Sequence, residues 1–288
     1  MTIAKIIRGL IWADVFFIWF AGPHAYWTIR FINKFPVRSI VVVGGNEVAK
    51  VEEIEYGSVL DTDKAKKVRF VLRSADRILT VSECNNSEII ACDKDLKPVT
   101  VYNGVDVGKF SPENDEKKRC VLTVGYIDRS TLKKKWLDTF VKAAKYLQDI
   151  DFYLVGKCTD DSIDQLRSFA TENVHFIGFI TDDELLELYR QTKVYCQLSR
   201  HESFGVALAE AMSCECVPVV TKNGALLEVV GDIGFFVPYD DPQTTAKVII
   251  KAMDSNNGRK ARDRIVNVFD IKIRKEKISR IIDEMMGE

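Results

Sequence analysis

Short apolar runs alternate with amphipathic segments along most of the chain. Ten apolar runs have the length and residue types of buried strands. They are DVFFIWF, RSIVVVGG, DRILTVS, PVTVY, CVLTVG, DFYLVG, NVHFIG, VYCQLS, CVPVVT and GFFVP. Helix-period stretches such as Leu137–Leu147 and Asp183–Gln191 lie between them, and Thr181 to Glu184 has the sequence of a capping box. Buried strands separated by helices predict an α/β protein with two parallel sheets.

One segment interrupts the alternation and predicts a domain boundary. Asn103-Gly104 favours a turn, Ser111-Pro112 does not fit a helix interior or a central strand, and residues 113–119 are charged without an apolar period. We therefore expect an N-terminal domain over residues 1–110 and a C-terminal domain over 111–268. Residues 269–288 are expected to form an amphipathic terminal helix.

Composition excludes several classes of function. The 288 residues are 47% apolar and 29% charged, so a disordered chain is excluded. A net charge of −1 argues against a protein that binds nucleic acid through its backbone phosphates. Seven scattered cysteines and three histidines make a zinc site or a disulfide framework unexpected and favour the reducing cytoplasm. Cys214 and Cys216 are interpreted as small buried hydrophobic residues.

Residues 12–35 are unusually aromatic. The apolar stretch from Leu10 to Gly22 contains Asp14 and is too short to span a bilayer, and no signal peptide is evident. Two interpretations stay open: the aromatic residues line the core and a cleft, or they form a surface for a lipid-linked partner or the membrane interface. The aromatic residues are Trp12, Phe16, Phe17, Trp19, Phe20, Tyr26, Trp27, Phe31 and Phe35, and the nearby cations are Arg8, Arg30, Lys34 and Arg38.

The segment SRHESFGVALAEAM, residues 199–212, predicts an anion site. A strand ends before it, and a helix is expected to start near Ser203-Phe204, so that free backbone N–H groups face the carboxyl edge of the sheet. Gly205 would allow a phosphate to approach closely. Glu202 precedes this helix and Glu210 lies about 10 Å further along it, a separation that suits a diphosphate and a sugar ring. Two unrelated surface glutamates would give the same spacing.

The segment VGYIDRSTLKKKW, residues 124–136, predicts a second part of the same site. A strand ends at Gly125, and Lys133, Lys134 and Lys135 follow in an expected loop, just before an amphipathic helix. Lysines at the carboxyl edge of a parallel sheet are well placed to neutralise phosphate. A solvated charge run is the alternative.

From about Ala75 to Tyr239, the chain resembles the retaining nucleotide-sugar glycosyltransferases of the GT-B fold known as glycosyltransferase family 4. The matching motifs occur in order, and the Glu-x(7)-Glu of that family maps onto Glu202 and Glu210. The motifs are ADRILTVS, VYNGVDVGKF, the VG…KKKW segment, FYLVG, NVHFIGFITDDELLELY, SRHESFGVALAEAM, VPVVTKNGALLEVV and GFFV. The resemblance implies an α/β, GT-B-like fold with two Rossmann-type parallel-sheet domains.

The resemblance also implies roles for single residues. Glu210 would hold the ribose hydroxyls, Glu202 the hydroxyls of the donor sugar, and Lys135 the phosphates. The candidate donor-binding residues are Gly125, Arg129, Lys133, Lys134, His201, Ser203, Phe204, Gly205, Glu210 and Glu228. The candidate catalytic residues are Lys135, Glu202 and His24, the last of which follows a strand end and is otherwise a satisfied core histidine.

The chain departs from the family pattern in four places, one of which is Glu215-Cys216, where a small glycine would precede VPVV. Tyr126 stands where a phosphate-binding arginine is usual, so Arg129 or a neighbouring lysine would have to substitute for it. Trp136 stands where glycine is usual. The N-terminal domain is short, because four strands fit before residue 102 and the usual glycine-rich loop after a first strand is absent.

Asp61-Thr62-Asp63 spells the D-x-D that binds a divalent ion in the other glycosyltransferase fold. Here it precedes a segment with helical character, so we interpret it as a helix N-cap and expect no metal site and no cofactor.

These observations predict an enzyme that transfers a sugar from a nucleoside-diphosphate sugar to a sugar or lipid-linked acceptor, with retention of anomeric configuration. A sugar-nucleotide epimerase or phosphorylase of the same fold and a non-catalytic nucleotide-sugar-binding subunit are the alternatives. We expect a cytoplasmic location, with peripheral contact at the inner membrane face, and no nucleic-acid partner.

Overall fold

The computed structural model describes residues 3–113 and 116–287. The chain divides into two compact units. The first unit comprises Met1–Asn103 and Arg274–Glu288, and the second comprises Gly104–Ile273.

The first unit contains a four-stranded parallel sheet in the order β1-β2-β3-β4. Its strands are β1 (Val15–Trp19), β2 (Arg38–Val43), β3 (Arg77–Thr80) and β4 (Val99–Thr100). Its helices are α1 (Ile3–Gly9), α2 (Pro23–Ile32), α3 (Thr62–Ser74) and α4 (Glu83–Cys92), together with most of α13 (Ile271–Met286) and two short 3-10 helices (Glu52–Ile54 and Ser58–Leu60). Five of the six residues of β2 are buried, which makes this strand the centre of the hydrophobic core.

The second unit contains a six-stranded parallel sheet in the order β10-β9-β8-β5-β6-β7. Its strands are β5 (Lys118–Val124), β6 (Asp151–Val155), β7 (Val174–Gly178), β8 (Thr192–Gln197), β9 (Val217–Thr221) and β10 (Phe235–Val237). Its helices are α5 (Arg129–Lys135), α6 (Leu137–Ala144), α7 (Ser162–Arg167), α8 (Asp182–Gln191), α9 (Val206–Ser213), α10 (Gly224–Val230), α11 (Pro242–Met253) and α12 (Gly258–Phe269), with a short 3-10 helix (Gly231–Ile233). Counted from β5, this is the 3-2-1-4-5-6 order of a Rossmann sheet.

The predicted α/β class and both parallel sheets are confirmed, and each of the ten predicted strand runs contains a strand. The first sheet has four strands against six in the second, as expected for a shortened N-terminal domain. The capping box at Thr181 is present at the start of α8. Cys214 and Cys216 are fully buried, as predicted.

The Asp61-Thr62-Asp63 sequence begins α3. The Asp61 carboxylate accepts hydrogen bonds from the backbone N–H groups of Asp63 and Lys64, each at 3.0 Å. These bonds and the Lys64 ammonium lower the pKa of Asp61. The interpretation of this motif as a helix N-cap is confirmed.

The two units meet in the sequence at different residues from those we expected for the domains. Residues 104–110 belong to the second unit because they pack there: Val105 exchanges backbone hydrogen bonds with Phe269 and Ile271, and the Phe110 carbonyl accepts from Arg262 at 3.0 Å. The terminal helix α13 belongs mostly to the first unit, where buried Arg274 donates to the carbonyls of Val101 and Tyr102.

The aromatic segment divides between core and surface. Phe16, Tyr26 and Phe31 pack against the core of the first unit, whereas Trp12 and Trp27 are 75% and 64% exposed. Neither of the two interpretations therefore accounts for all nine rings. No helix among the described residues is long and apolar enough to cross a membrane.

Candidate functional site

The strand order creates a crevice in the second unit. β5 and β8 are neighbours, but the chain proceeds from β5 outward to β6 and from β8 outward to β9. The segments that follow β5 and β8 therefore diverge above the carboxyl edge of the sheet. In open parallel sheets, ligands bind at this point of reversed strand order.

Lys135 and Glu202 meet at this crevice. The Lys135 Nζ donates to the carbonyl of Val124, the last residue of β5, at 2.9 Å, and it lies 3.6 Å from Glu202 Oε1. The two side chains are 19% and 13% exposed, so this ion pair is largely removed from water. The sequence predicted both residues as catalytic, and the fold places them in contact.

The charges of this pair support each other. Burial lowers the pKa of Lys135, because the ammonium loses hydration, and the Glu202 carboxylate opposes that shift. Burial by itself would raise the pKa of Glu202. The ammonium groups of Lys135 and Lys134 and a hydrogen bond from Ser199 outweigh it, so the pKa of Glu202 lies below its usual value. Glu202 is therefore a carboxylate at neutral pH.

Gly125 makes room for the lysine, and Gly156 makes room for the backbone of Gly125. A Cβ atom on Gly125 would lie 2.7 Å from Lys135 Cδ, so the lysine stem crosses directly over this residue. Gly156 has φ +154°, and a Cβ there would lie 1.8 Å from the Gly125 carbonyl oxygen. Gly125 thus serves the site by admitting Lys135.

Glu202 is held by two polar side chains that the sequence analysis missed. Gln197 Nε2 donates to Glu202 Oε1 at 2.8 Å, and Ser199 Oγ donates to the same oxygen at 3.0 Å. The Tyr195 hydroxyl in turn donates to Gln197 Oε1 at 3.1 Å. Gln197 and Ser199 are buried polar residues at and just after the end of β8. Their polar side chains within the strand-like run VYCQLS are the sequence signal that would have revealed them.

Glu210 lies on α9 in a partly dry environment. Its Oε2 accepts a hydrogen bond from the Tyr189 hydroxyl at 3.4 Å, and Tyr189 is fully buried. Burial raises the pKa of Glu210 to about 7, although the bond from Tyr189 opposes the shift. The two predicted glutamates therefore differ in charge near neutral pH.

A line of buried side chains joins the two glutamates. Tyr189, bonded to Glu210, has its ring 6.0 Å from that of Tyr195, and Tyr195 bonds to Gln197, which bonds to Glu202. Both tyrosines are fully buried. Rigid neighbours of this kind fix the positions of the carboxylates before any ligand arrives.

Arg200, in the segment that follows β8, is a cation that the sequence analysis did not select. Its backbone N–H donates to the Lys134 carbonyl at 2.7 Å, which ties the segment after β8 to α5. Its carbonyl accepts from the Asn223 side chain. Its guanidinium lies 4.9 Å above the Tyr239 ring.

The helix after Glu202 begins later than predicted. α9 starts at Val206, because Gly205 has φ +93°, a left-handed conformation that ends helical geometry on its N-terminal side. Ser203 therefore lies outside the helix, which we had expected to start near it. The Phe204 ring is buried and packs edge-to-face on Phe269 at 5.4 Å, so only its backbone can contact a ligand.

The lysine run also differs from the expected loop. Residues 129–135 form α5, which Asp128 caps by accepting from the Thr131 N–H at 2.7 Å. The three lysines occupy the last turn of α5, where positive charges interact favourably with the helix dipole. Lys134 is near enough to lower the pKa of Glu202, whereas Lys133 is exposed.

The structure places the remaining predicted residues as follows. Arg129 starts α5 and lies 3.7 Å from Asp161, away from the contacts of Lys135 with Glu202. His201 is buried beside Glu202. Glu228 lies on α10, and its backbone carbonyl accepts from Arg264 at 2.5 Å. In the first unit, the His24 ring is exposed and its Nε2 lies 2.7 Å from the Trp19 carbonyl.

Comparison of the sequence with known families and proteins gives a consistent result. The sequence profile of the family described as glycosyl transferases group 1 matches residues 106–267. Phosphatidyl-myo-inositol mannosyltransferase of Mycolicibacterium smegmatis is 27% identical over 66% of this chain and 52% of its own length. N-acetyl-alpha-D-glucosaminyl L-malate synthase of Bacillus anthracis is 25% identical over 92% of this chain and 72% of its own. The chain spans about half the length of the first two curated relatives it matches.

Solved structures show the same fold. Sucrose-phosphate synthase of Thermosynechococcus elongatus superposes with a TM-score of 0.82 at 19% identity, covering 95% of this chain and 74% of that protein. Anabaena Alr3699/HepE, solved in complex with UDP, gives a TM-score of 0.80 at 16% identity and covers 98% and 81%. The predicted GT-B-like class is confirmed by these similarities.

Proposed function

The chain belongs to the glycosyl transferases group 1 family, and on that premise we propose that it transfers a hexose from a nucleoside-diphosphate sugar to an acceptor with retention of anomeric configuration. One observation carries the proposal. A buried lysine and a buried carboxylate lie in contact where the strand order of the second sheet reverses, the usual ligand site of such sheets.

The donor diphosphate would bind at Lys135. As the bond from the sugar to the diphosphate breaks, negative charge grows on the leaving phosphate, and a buried ammonium stabilises that charge more strongly than a hydrated one would. Lys134, on the same helix turn, would add a second positive charge. We propose that this lysine charge replaces a divalent metal, so the reaction needs no metal or other cofactor.

The two glutamates would hold different parts of the donor. The described contacts of Glu202 from Gln197, Ser199 and Lys135 all fall on Oε1, which leaves Oε2 to accept a bond from a hydroxyl of the sugar. Glu210 would accept bonds from the ribose hydroxyls. Anabaena Alr3699/HepE with bound UDP-glucose, a protein of the same fold, supports a nucleotide sugar as the donor.

Retention would follow from departure and attack on the same face of the sugar. The bond from C1 to the diphosphate oxygen breaks, the acceptor oxygen bonds to C1 from that face, and the acceptor proton passes to the leaving phosphate. This route needs no carboxylate nucleophile. Glu202 is already engaged by a lysine and two hydrogen bonds, which suits a positioning role better than nucleophilic attack.

The acceptor is proposed as a sugar or a lipid-linked sugar, bound by the first unit, where exposed His24 stands at the start of α2. A cytoplasmic location, with peripheral contact at the inner membrane face, is proposed with it. The seven cysteines are free in the structure, which suits a reducing compartment.

Thermal-shift measurements with UDP, GDP and ADP and their sugars are the first test, because a ligand that binds the native state raises apparent stability. The nucleotide sugar that binds is then prepared with a radiolabelled sugar and incubated with the protein and a panel of acceptors. NMR of the product reports its anomeric configuration. An inverted product contradicts retention. Turnover without acceptor indicates an epimerase or hydrolase, and binding without turnover indicates a partner subunit.

Substitution of the two glutamates tests the assigned roles. Glu210→Gln should weaken the nucleoside diphosphate and the nucleotide sugar equally, by about 1–3 kcal/mol, because ribose contacts do not change during reaction. Glu202→Gln should leave nucleoside-diphosphate affinity unchanged and lower kcat, because its interaction strengthens as charge develops on the sugar. If the two variants behave alike, the assignment is wrong even if the enzyme class is right.

A further inference from the structure

One side of α2 in the first unit carries aromatic and basic side chains together. Trp27, Arg30, Phe31 and Lys34 follow one another at helical spacing along this side. The opposite side of the helix, with Ala25, Thr28, Ile29 and Ile32 buried, packs on the core. We call the first side the aromatic–basic face.

The aromatic–basic face borders an open cavity of about 480 Å³. Ile6 of α1 lines the cavity together with Trp27 and Phe31, so its floor is apolar. Arg30, Lys34 and His24 also line it and bring polar or cationic groups to the same space. A ligand that fits has an apolar part and a negatively charged part.

The neighbouring segment extends the apolar surface. Ile7 of α1 is exposed, and Ile11, four residues later, is 81% exposed. Trp12 follows directly and is also exposed. Exposed isoleucine and tryptophan in adjacent positions are costly in water but favourable at the boundary between lipid headgroups and acyl chains.

Charge along this part of the chain is mostly positive. Arg8, Arg30, Lys34 and Arg38 are the lysines and arginines between residues 6 and 38, and Asp14 is the only acidic residue in that range. Arg38 is paired with Asp76 at 3.2 Å, so Arg8, Arg30 and Lys34 supply the positive charge of this region. The whole chain carries a net charge of −1, so this positive charge is local. Long cationic side chains reach phosphate groups while their stems lie on apolar surface.

We propose that the aromatic–basic face, together with Ile7, Ile11 and Trp12, binds the surface of an anionic lipid bilayer. Trp27 enters the interfacial region, and Arg30 and Lys34 contact lipid phosphates. The exposed indole and isoleucine side chains match the boundary between headgroups and acyl chains, and the neighbouring Arg30 and Lys34 match the phosphates of an anionic bilayer. The binding is peripheral and reversible, since it rests on one interfacial surface.

Vesicle binding tests this surface independently of sugar transfer. The full chain is sedimented with vesicles of phosphatidylcholine alone or of phosphatidylcholine mixed with phosphatidylglycerol. Binding should favour the anionic vesicles and weaken with salt. In a second measurement, Trp12, Trp19 and Trp136 are replaced by Phe, so that the fluorescence of Trp27 alone reports the contact. Its emission should shift to shorter wavelength with anionic vesicles.

Matched variants distinguish binding through the aromatic–basic face from an effect of the protein's overall charge. Arg30→Gln with Lys34→Gln should weaken binding about thirtyfold, the effect of two cations close to an anionic surface. The control is Lys247→Gln with Lys251→Gln, an exposed pair with the same spacing on α11, and it should bind as wild type does. All variants are checked by circular dichroism, and their replaced side chains are exposed or partly exposed.

Three results would overturn the proposal. The first is equal partition between neutral and anionic vesicles, and the second is equal loss of binding in both lysine-containing pairs. The third is unchanged Trp27 emission while the protein binds, which would assign the contact to another surface. Each result stands whether or not the chain transfers sugar.

Discussion

Donor affinity should depend on pH through Glu210. Burial raises the pKa of this carboxyl to about 7, so about half of the free protein carries it protonated at neutral pH. In the role proposed for Glu210, only the ionised form would accept bonds from both ribose hydroxyls. Affinity for the donor should therefore be high above pH 7 and fall as the pH drops below it.

The expected size of the effect follows from the titration. From about pH 8 to about pH 6, the ionised fraction of a group with pKa about 7 falls from about nine tenths to about one tenth, so affinity falls about tenfold, or about 1.4 kcal/mol. Calorimetry should use the nucleotide sugar rather than the nucleoside diphosphate. The terminal phosphate of the latter titrates in the same range.

Two variants make this measurement decisive. Glu210→Gln should remove the pH dependence between these limits. Glu202→Gln should retain it, because the pKa of Glu202 already lies below its usual value. Constant affinity in the wild type, or an equal slope in Glu210→Gln, would refute the reasoning.

The same group should affect stability with a definite sign. Because the folded pKa of Glu210 is raised, the folded state binds its proton more tightly than the unfolded state does. Its contribution to stability is therefore present below the unfolded pKa and is lost as pH rises through about 7. At about pH 8, the free energy of unfolding of Glu210→Gln should exceed that of wild type by on the order of 1–2 kcal/mol after allowance for partial exposure, and the variant should unfold at a higher temperature. At about pH 4 the difference should vanish.

Three further predictions concern the rest of the site. Gln197→Leu should lower kcat about tenfold in initial-rate assays with little change in donor KM, because one hydrogen bond that orients Glu202 is lost; an unchanged kcat would contradict this role. Gly125→Ala should lower kcat/KM by on the order of a hundredfold, because the new methyl group displaces Lys135, and a fully active variant would show that the lysine position is unimportant. Activity should survive EDTA, and Asp61→Ala with Asp63→Ala should keep donor affinity; loss under EDTA that manganese restores would contradict metal independence.

Most of the fold could be predicted from the sequence, because the signals were local. A buried parallel strand such as RSIVVVGG is continuously apolar, and a capping box such as Thr181 with Glu184 is complete within four residues. The errors at α5 and α9 arose where the conformation of a single residue determines where the helix begins. Asp128 can cap a helix or sit in a loop, and Gly205 can begin a helix or open a phosphate loop. Their φ and ψ angles depend on packing that the sequence does not state.

The site divides in the same way. Lys135, Glu202 and Glu210 belong to patterns that extend along the chain, so they could be selected before the fold was known. Gln197 and Tyr189 could not, because they act through contacts with residues distant in sequence: Tyr189 on α8 reaches Glu210, 21 residues away, only after the sheet has formed.

The line from Glu210 to Glu202 also has a consequence for how the donor is bound. In the proposed role of Glu210, ribose binding would favour its ionised form, and the new negative charge would face Tyr189, whose hydroxyl is the described donor to this carboxylate. A stronger bond there fixes the Tyr189 ring, which packs on Tyr195, and Tyr195 donates to the glutamine that orients Glu202. Binding of the nucleotide half of the donor would then stiffen the carboxylate that receives the sugar half.

Replacing Tyr195 with Phe tests this step, because it removes one hydroxyl while keeping the buried ring. If the coupling exists, Tyr195→Phe should lower kcat without weakening the nucleoside diphosphate, whereas equal loss of both would assign Tyr195 to the general stability of the sheet.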